Sequence, residues 1–242
     1  MKNDRRRPAR PRPGKPVTGK PGPKKPAGTA RRTGKPAARA QPLPPEEARV
    51  LRLGLVPGTT PNKWIDAWKQ RMPHVELELV PVSFADQRER LDEVDLALVR
   101  LPIGHPEDLH VIPLYDEVAV VVASADSHLM AAEELTAADL AGEVLITPRD
   151  DVLGALELPT ATPRFPAVAT TEEAIATAAS GVGVVVVPMS LARLHKRKDA
   201  DYRPLLEGPA STVALAWPRE ATTPDVETFV GIVRGRTANS SR

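Results

Sequence analysis

The sequence predicts an α/β domain made of two lobes, preceded by a disordered basic segment. Residues 50–100 alternate apolar strand-like runs with amphipathic helical runs, in the order strand–helix–strand–helix–strand. This order is typical of a parallel sheet with helices packed on its faces. A second set of short strands and helices follows between residues 109 and 236. Residues 1–45 contain no aromatic residue and no apolar periodicity, so the folded domain begins after them.

The first 45 residues differ from the rest of the chain in charge. They hold 14 Lys and Arg residues and a single acid, Asp4. Subtracting these from the 33 basic and 31 acidic residues of the chain leaves 19 and 30 for the remainder. A strongly cationic segment therefore precedes an acidic body.

Eleven prolines and five glycines in residues 1–45 predict a disordered tail, with its boundary near residue 46. A polycation of this density suits nucleic acid. Three Gly-Lys-Pro triplets are similar to AT-hooks, although the Arg-Gly-Arg-Pro centre of that motif is missing. The alternative is a tail that only keeps the protein in solution or associates with ribosomes. The predicted nucleic-acid contacts are Arg5, Arg6, Arg7, Arg10, Arg12, Lys15, Lys20, Lys24, Lys25, Arg31, Arg32 and Lys35.

Several classes of protein are disfavoured by composition. The chain has no cysteine, and its five histidines show no metal-ligand spacing, so we expect no metal and no cofactor. No apolar run reaches the ~18–20 residues that span a bilayer. No apolar segment follows the basic run 5–7, as an export signal requires, so a cytoplasmic protein without membrane contact is expected. Nothing pairs a nucleophile with a base, which argues against an enzyme.

The first lobe is predicted from residues 50–100. A strand at 50–56 leads to a helix for which Thr60 is the expected N-cap and Pro61 the first helical residue. Trp64, Ile65 and Trp68 form the apolar face of this helix, which ends at 72–73. Three further elements follow, namely a strand at 75–79, a short helix through 88–91 and a strand at 94–99 that ends at Arg100.

The second half of the body continues the pattern. Strands are predicted at 109–114, 117–123, 144–147, 165–169, 182–187 and 211–217, and the strand at 117–123 is expected to cross between the lobes. A short helix is predicted at 136–140 and a final helix at 224–236. Thr170 and Thr171, followed by two acids, open a further helix, and Gly181 is the expected residue after its end.

In the order and spacing of its elements, the body resembles the effector-binding domain of LysR-type transcriptional regulators. Four segments carry the resemblance: Leu51-Arg52-Leu53-Gly54, Val94-Asp95-Leu96-Ala97-Leu98, Ser127-His128-Leu129-Met130, and 173–188. The resemblance covers residues 49–236 and implies a type 2 periplasmic-binding-protein fold. It places the domain at 47–238, with lobe I at 49–117 and 210–236 and lobe II at 118–209. Family members carry a winged helix-turn-helix ahead of this domain, which residues 1–45 do not match.

The resemblance also implies an effector in the cleft between the lobes. The matching positions lie at strand ends and helix entrances, and they are Thr59, Thr60, Arg100, Leu101, Thr147, Pro148, Arg149, Thr170 and Thr171. Two arginines and two helix N-termini indicate a small anionic effector such as a carboxylate. In the alternative interpretation, the threonines serve only as N-caps and the arginines are solvated or paired with nearby acids.

The sequence therefore predicts a small-molecule-sensing regulatory protein, related to transcription, whose basic tail contacts nucleic acid. The alternatives are a partner-binding module without a ligand and, with less support, an enzyme on the same fold. A homodimer is also expected, because Trp64, Ile65 and Trp68 give the first helix more apolar surface than one lobe needs.

Overall fold

The computed structural model describes residues 49–235. In chain order the elements are β1 (Arg49–Leu55), α1 (Asn62–Arg71), β2 (Val75–Pro81), β3 (Leu96–Arg100), β4 (Leu109–Glu117), β5 (Ala119–Ser124), α2 (Thr171–Ala179), β6 (Val185–Pro188), α3 (Met189–Leu194), β7 (Ala200–Pro204), β8 (Ser211–Pro218) and α4 (Pro224–Val233). Short 3-10 helices lie between several of them. The predicted tail and its nucleic-acid contacts fall outside the described residues.

Lobe I is built on a five-stranded sheet of order β2-β1-β3-β8-β4. β1 pairs in parallel with β2 and β3, as the strand–helix–strand order predicts, and β8 is antiparallel to both of its neighbours. Leu51 and Leu53 of β1 pack against Trp68 of α1 and Phe229 of α4. The two rings lie 5.8 Å apart, and Trp68 also donates a hydrogen bond from Nε1 to the Val75 carbonyl at 3.0 Å. Trp68 is thus a core residue of lobe I.

Lobe II is built on a three-stranded sheet of order β6-β5-β7. Side chains of β5 alternate between two cores, as a strand buried on both faces requires. Val120 and Val122 pack with Ile175 of α2, whereas Val121 points into the second core with Leu129. β5 lies in the centre and is antiparallel to both of its neighbours.

Two segments of chain join the lobes. The first is very short, because only Val118 separates the end of β4 from the start of β5. The second is the return from β7 to β8, which re-enters lobe I at Ser211. The chain therefore crosses between the lobes at Val118, and the strand that was expected to cross lies wholly within the lobe II sheet. The two-sheet α/β architecture agrees with the predicted fold class.

The structure corrects some sequence-based boundaries. Pro61, not Thr60, is the N-cap of α1, and no side chain caps this helix. The expected strands at 144–147 and 165–169 form only isolated bridges, such as that between Pro148 and Val168. The strand expected at 182–187 begins three residues later, because Gly181 adopts a φ of +81° and Val182 remains exposed. The final helix ends at Val233.

Two elements have little sequence pattern of their own. α3 follows β6 directly after Pro188 and has only six residues, too few to show a helical period. β7 reads Ala-Asp-Tyr-Arg-Pro, and such a polar edge strand shows no clear apolar alternation. Within residues 49–235, no helix has the length and apolar character needed to cross a membrane.

Candidate binding cleft

A cavity of about 290 Å³ opens between the two lobes. Apolar walls and polar groups alternate around it. Lobe I contributes Pro57, Ser83, Phe84 and Arg100. Lobe II contributes Asp150, Val152, Thr170, Thr171, Glu172, Leu191, Leu194 and His195. Its volume is at the lower end for small-molecule sites in proteins, so it suits a ligand of about one ring or a short chain.

The entrance of α2 forms the polar side of the cleft. Thr170 caps the helix, because its Oγ1 accepts a hydrogen bond from the Glu173 backbone N–H at 3.1 Å. Thr171 is buried, and its hydroxyl donates to Asp150 Oδ1 at 2.8 Å. The first N–H groups of a helix have no partner inside it, and they carry a partial positive charge. The cleft therefore offers backbone donors beside a hydroxyl–carboxylate pair.

Arg100 forms the base of the cleft and is fully buried. Its Nη1 donates to Glu117 Oε2 at 2.6 Å and to Ser211 Oγ at 2.7 Å. Its Nη2 donates to the Pro57 carbonyl at 3.2 Å and to Ser190 Oγ at 3.0 Å. One guanidinium thus connects the loop after β1, the ends of both segments that join the lobes, and α3 of lobe II.

The backbone of Arg100 is held equally firmly. The buried Gln87 side chain accepts from the Arg100 N–H and donates to the Arg100 carbonyl, both at 2.8 Å. The Glu117 carboxylate that pairs with Arg100 is itself only 10% exposed. Nε is the one nitrogen of this guanidinium without a partner among the described residues. A buried ion pair with this many hydrogen bonds retains its geometry, since breaking it leaves an uncompensated charge.

Comparison with known proteins identifies the family. The family model described as LysR substrate binding domain matches residues 44–238. The chain belongs to this family. It is also 27% identical over 210 residues to the Hca operon transcriptional activator HcaR of Escherichia coli (strain K12), a match that covers 80% of this chain and 70% of HcaR.

Solved structures share the fold. The oxidized form of OxyR superposes with a TM-score of 0.62 at 23% identity, over 81% of this chain and 99% of that one. The BenM effector-binding domain with its effector benzoate also has a TM-score of 0.62, at 20% identity, over 77% of this chain and 91% of that one. The predicted fold class is confirmed. The LysR-type domain senses small molecules in transcription regulation and is not an enzyme.

The LysR-type cleft contains only some of the residues that the sequence predicts for it. Arg100, Thr170 and Thr171 line the interlobe cavity. Thr59 and Thr60 line a neighbouring concavity, and the Thr59 hydroxyl donates to the Val56 carbonyl at 2.7 Å.

The remaining predicted residues lie elsewhere. Thr147 and Pro148 line a cavity within lobe II, next to Leu145 and Val186. Leu101 packs against a core cluster of lobe I, and Arg149 is exposed. The lining of the interlobe cavity therefore does not include four of the predicted residues, Leu101, Thr147, Pro148 and Arg149.

Several lining residues were missed by sequence reasoning. Ser83 and Phe84 follow β2, whose carboxyl end meets the same sheet edge as those of β1 and β3, so strand order was a usable signal for them. Leu191, Leu194 and His195 belong to α3 or follow it, and that helix leaves no sequence signal of its own. Within residues 49–235, no group of three metal-ligating side chains is present.

Proposed function

We propose that this protein senses a small monocarboxylate in the interlobe cleft and contacts nucleic acid through its basic tail. The observation that carries the first part is that the α2 entrance, with its backbone donors, lines the same cavity as the apolar side chains Phe84, Leu191 and Leu194. An anionic head group at the helix N-terminus and an apolar body against these walls satisfy both surfaces.

The charges of the cleft limit the ligand. Asp150 and Glu172 add negative charge to the lining, whereas the charge of Arg100 is compensated by Glu117. The positive charge of Arg197 interacts with Glu172 and partly offsets it. A second carboxylate on the ligand would lie against Asp150 and be repelled. We therefore expect monocarboxylates to bind better than dicarboxylates.

A thermal-shift panel of small carboxylic acids, with the matched amides and amines, tests the sensor. Phe84→Ala removes a lining ring and should weaken the best acid by roughly tenfold, the cost of about 1.4 kcal/mol of lost apolar contact. Phe165→Ala is the matched control, since Phe165 is also half-buried but lies outside the cleft. Amines that bind as well as acids would contradict the proposal, and a panel without any binder would favour the partner-binding module.

The proposed role of the tail follows from charge. Residues 1–45 carry a net charge of +13, from 14 basic residues and one acid. About 6–8 phosphate contacts would give a log–log dependence of DNA affinity on salt with a slope of roughly −5 to −7. Deleting residues 1–45 should abolish binding and leave the unfolding of the LysR-type domain unchanged. DNA binding by the truncated protein, or affinity that ignores salt, would refute this role.

We also propose a homodimer, with a smaller apolar contact surface than the sequence suggests. Trp68 is taken up by the lobe I core, so α1 offers only the half-buried Trp64 and Ile65. The exposed Leu79 of β2 pairs with Leu53, so it lies on the sheet face that α1 covers and adds apolar surface there. A monomer mass in light scattering at tens of micromolar protein would contradict the dimer.

A further inference from the structure

A second concavity, of about 580 Å³, lies beside the cleft where the chain passes from lobe I to lobe II. We call it the hinge pocket. Its lining comes from the loop before α1, from the crossing segment 115–118 and from α3. It shares only Leu194 with the lining of the interlobe cleft. The hinge pocket is therefore a separate site that both lobes contribute to.

Exposed apolar side chains are concentrated in the hinge pocket. Seven large apolar side chains are prominently exposed within residues 49–235, and three of them line it: Tyr115 (39% exposed), Val118 (51%) and Leu194 (54%). Val118 is the single residue between β4 and β5. A contiguous exposed apolar surface inside a concavity is typical of a ligand site.

The same pocket contains a buried carboxylate with unused hydrogen-bonding capacity. Glu117 is 10% exposed, and its bonds from Arg100 Nη1 and Ser190 Oγ both end on Oε2. Oε1 accepts neither of these bonds, and it is accessible to solvent, since the buried side-chain atoms without a partner among residues 49–235 are Arg88 Nε and Arg100 Nε. An ionised carboxylate accepts up to about four hydrogen bonds, so Oε1 is an acceptor available to a donor from outside the chain. Burial, together with the Glu117 charge, raises the pKa of the Tyr115 phenol, which places that phenol near the carboxylate.

The other charges of the pocket determine the preferred head group. Asp116 also lines it and accepts a hydrogen bond from the Thr212 hydroxyl at 2.6 Å. Arg193 is the one cation of the lining, and its Nε donates to the Tyr202 hydroxyl of lobe II at 3.2 Å. Arg100 compensates the charge of Glu117, so Asp116 is the carboxylate of the lining that has no ion-pair partner among residues 49–235, and it would repel an anion. An ammonium would instead meet acceptors on both carboxylates and an aromatic ring.

We propose that the hinge pocket is a second small-molecule site, which takes an amphipathic amine. The ammonium donates to Glu117 Oε1 beside Asp116, and the apolar body packs on Tyr115, Val118 and Leu194. Because Ser190 and Glu117 also hold Arg100, the ligand contacts the same network that connects the lobes. This site is independent of the proposed effector cleft, and it prefers ligands of the opposite charge.

Full-length protein labelled with ¹³C at tyrosine Cζ provides the test, because the chain has only two tyrosines. Phenethylamine, 2-phenylethanol and phenylacetate are titrated in parallel. They share a phenyl ring with a two-carbon side chain and differ in the charge of the head group. The amine should shift the Tyr115 resonance in a saturable manner, the alcohol should bind more weakly, and the acid should not bind there. Tyr202 lies outside the lining and touches it only through the hydrogen bond from Arg193, so its resonance should shift less than that of Tyr115.

Val118→Lys adds a positive charge that repels the ammonium, so it should weaken binding of the amine roughly tenfold or more. Val182→Lys is the matched control, since Val182 is 48% exposed and lies outside the pocket. An unshifted Tyr115, equal binding of phenylacetate at Tyr115, or equal effects of the two lysine variants would each overturn the proposal. Loss of carboxylate binding in the cleft leaves these outcomes unaffected, so the two proposals fail separately.

Discussion

The contact between Gly58 and α3 shows how closely the two lobes approach each other. Gly58 follows β1 and has a φ of +86°, a conformation that L-residues rarely adopt. A Cβ at this position would lie 2.5 Å from Ser190 Oγ and 3.1 Å from both Arg100 Nη2 and Leu191 Cδ2. Gly58→Ala should therefore strain the backbone and push α3 away from lobe I.

The expected loss of stability in Gly58→Ala is the sum of two costs. An L-residue in the left-handed region costs about 1–2 kcal/mol, and overpacking a well-packed contact adds about 1–3 kcal/mol. Ser190 cannot simply rotate away, because its hydroxyl donates to Glu117 at 2.8 Å and accepts from Arg100 at 3.0 Å. Gly58→Ala should lower the free energy of unfolding by about 2–5 kcal/mol in total.

Gly142→Ala is the matched control. Gly142 has a φ of +84°, and nothing lies within 4 Å of the Cβ position, so this variant should lose only about 1–2 kcal/mol. Urea denaturation of both variants gives, by difference, the loss of stability that comes from the contact between position 58 and α3. Ser190→Ala in the Gly58→Ala background should recover part of that loss. Equal losses for Gly58→Ala and Gly142→Ala would refute the reasoning.

Three further predictions concern two buried side chains and one partly exposed phenol. Arg100→Met leaves Glu117 unpaired and should lower the free energy of unfolding, measured by urea denaturation, by about 3–5 kcal/mol. Adding Glu117→Leu should restore much of this loss. A loss below about 1 kcal/mol would contradict the buried ion pair. Trp68→Phe removes the hydrogen bond to the Val75 carbonyl and some core volume, so the melting temperature should fall by an amount equivalent to about 1–3 kcal/mol. Burial and the Glu117 charge raise the pKa of Tyr115 above its usual 10.0. The folded state then keeps a proton that the unfolded state loses, so the free energy of unfolding should fall as pH rises above 10.0, and Tyr115→Phe should reduce this slope.

The sequence predicted lobe I better than the rest. Its strands alternate with an amphipathic helix, and Leu51 and Leu53 lie in the core as the pattern indicates. Gly181, which follows the end of α2, was also predicted, since few residues other than glycine adopt its φ of +81°. These features depend on local chemistry, which a single sequence contains.

The cleft was less predictable, because it depends on how two lobes pack. Arg100 was expected as a ligand contact, and the structure shows both terminal nitrogens of its guanidinium bonded to other groups of the chain, up to 111 residues away in sequence. α3 supplies a wall of the cleft, but it is too short to leave a periodic pattern. The N-cap expected at Thr60 is absent because Pro61 itself takes the N-cap position. Long-range pairing of this kind leaves no signal in composition or spacing.

The central claim, that the interlobe cleft binds a small effector, has a direct test in fluorine NMR. The chain contains three phenylalanines, at positions 84, 165 and 229. Phe84 lines the cleft, Phe165 packs in lobe II, and Phe229 lies in the core of lobe I. With 4-fluorophenylalanine in all three positions, a bound carboxylate should shift the Phe84 resonance most strongly. A carboxylate that binds with saturation and leaves Phe84 unchanged would contradict the account.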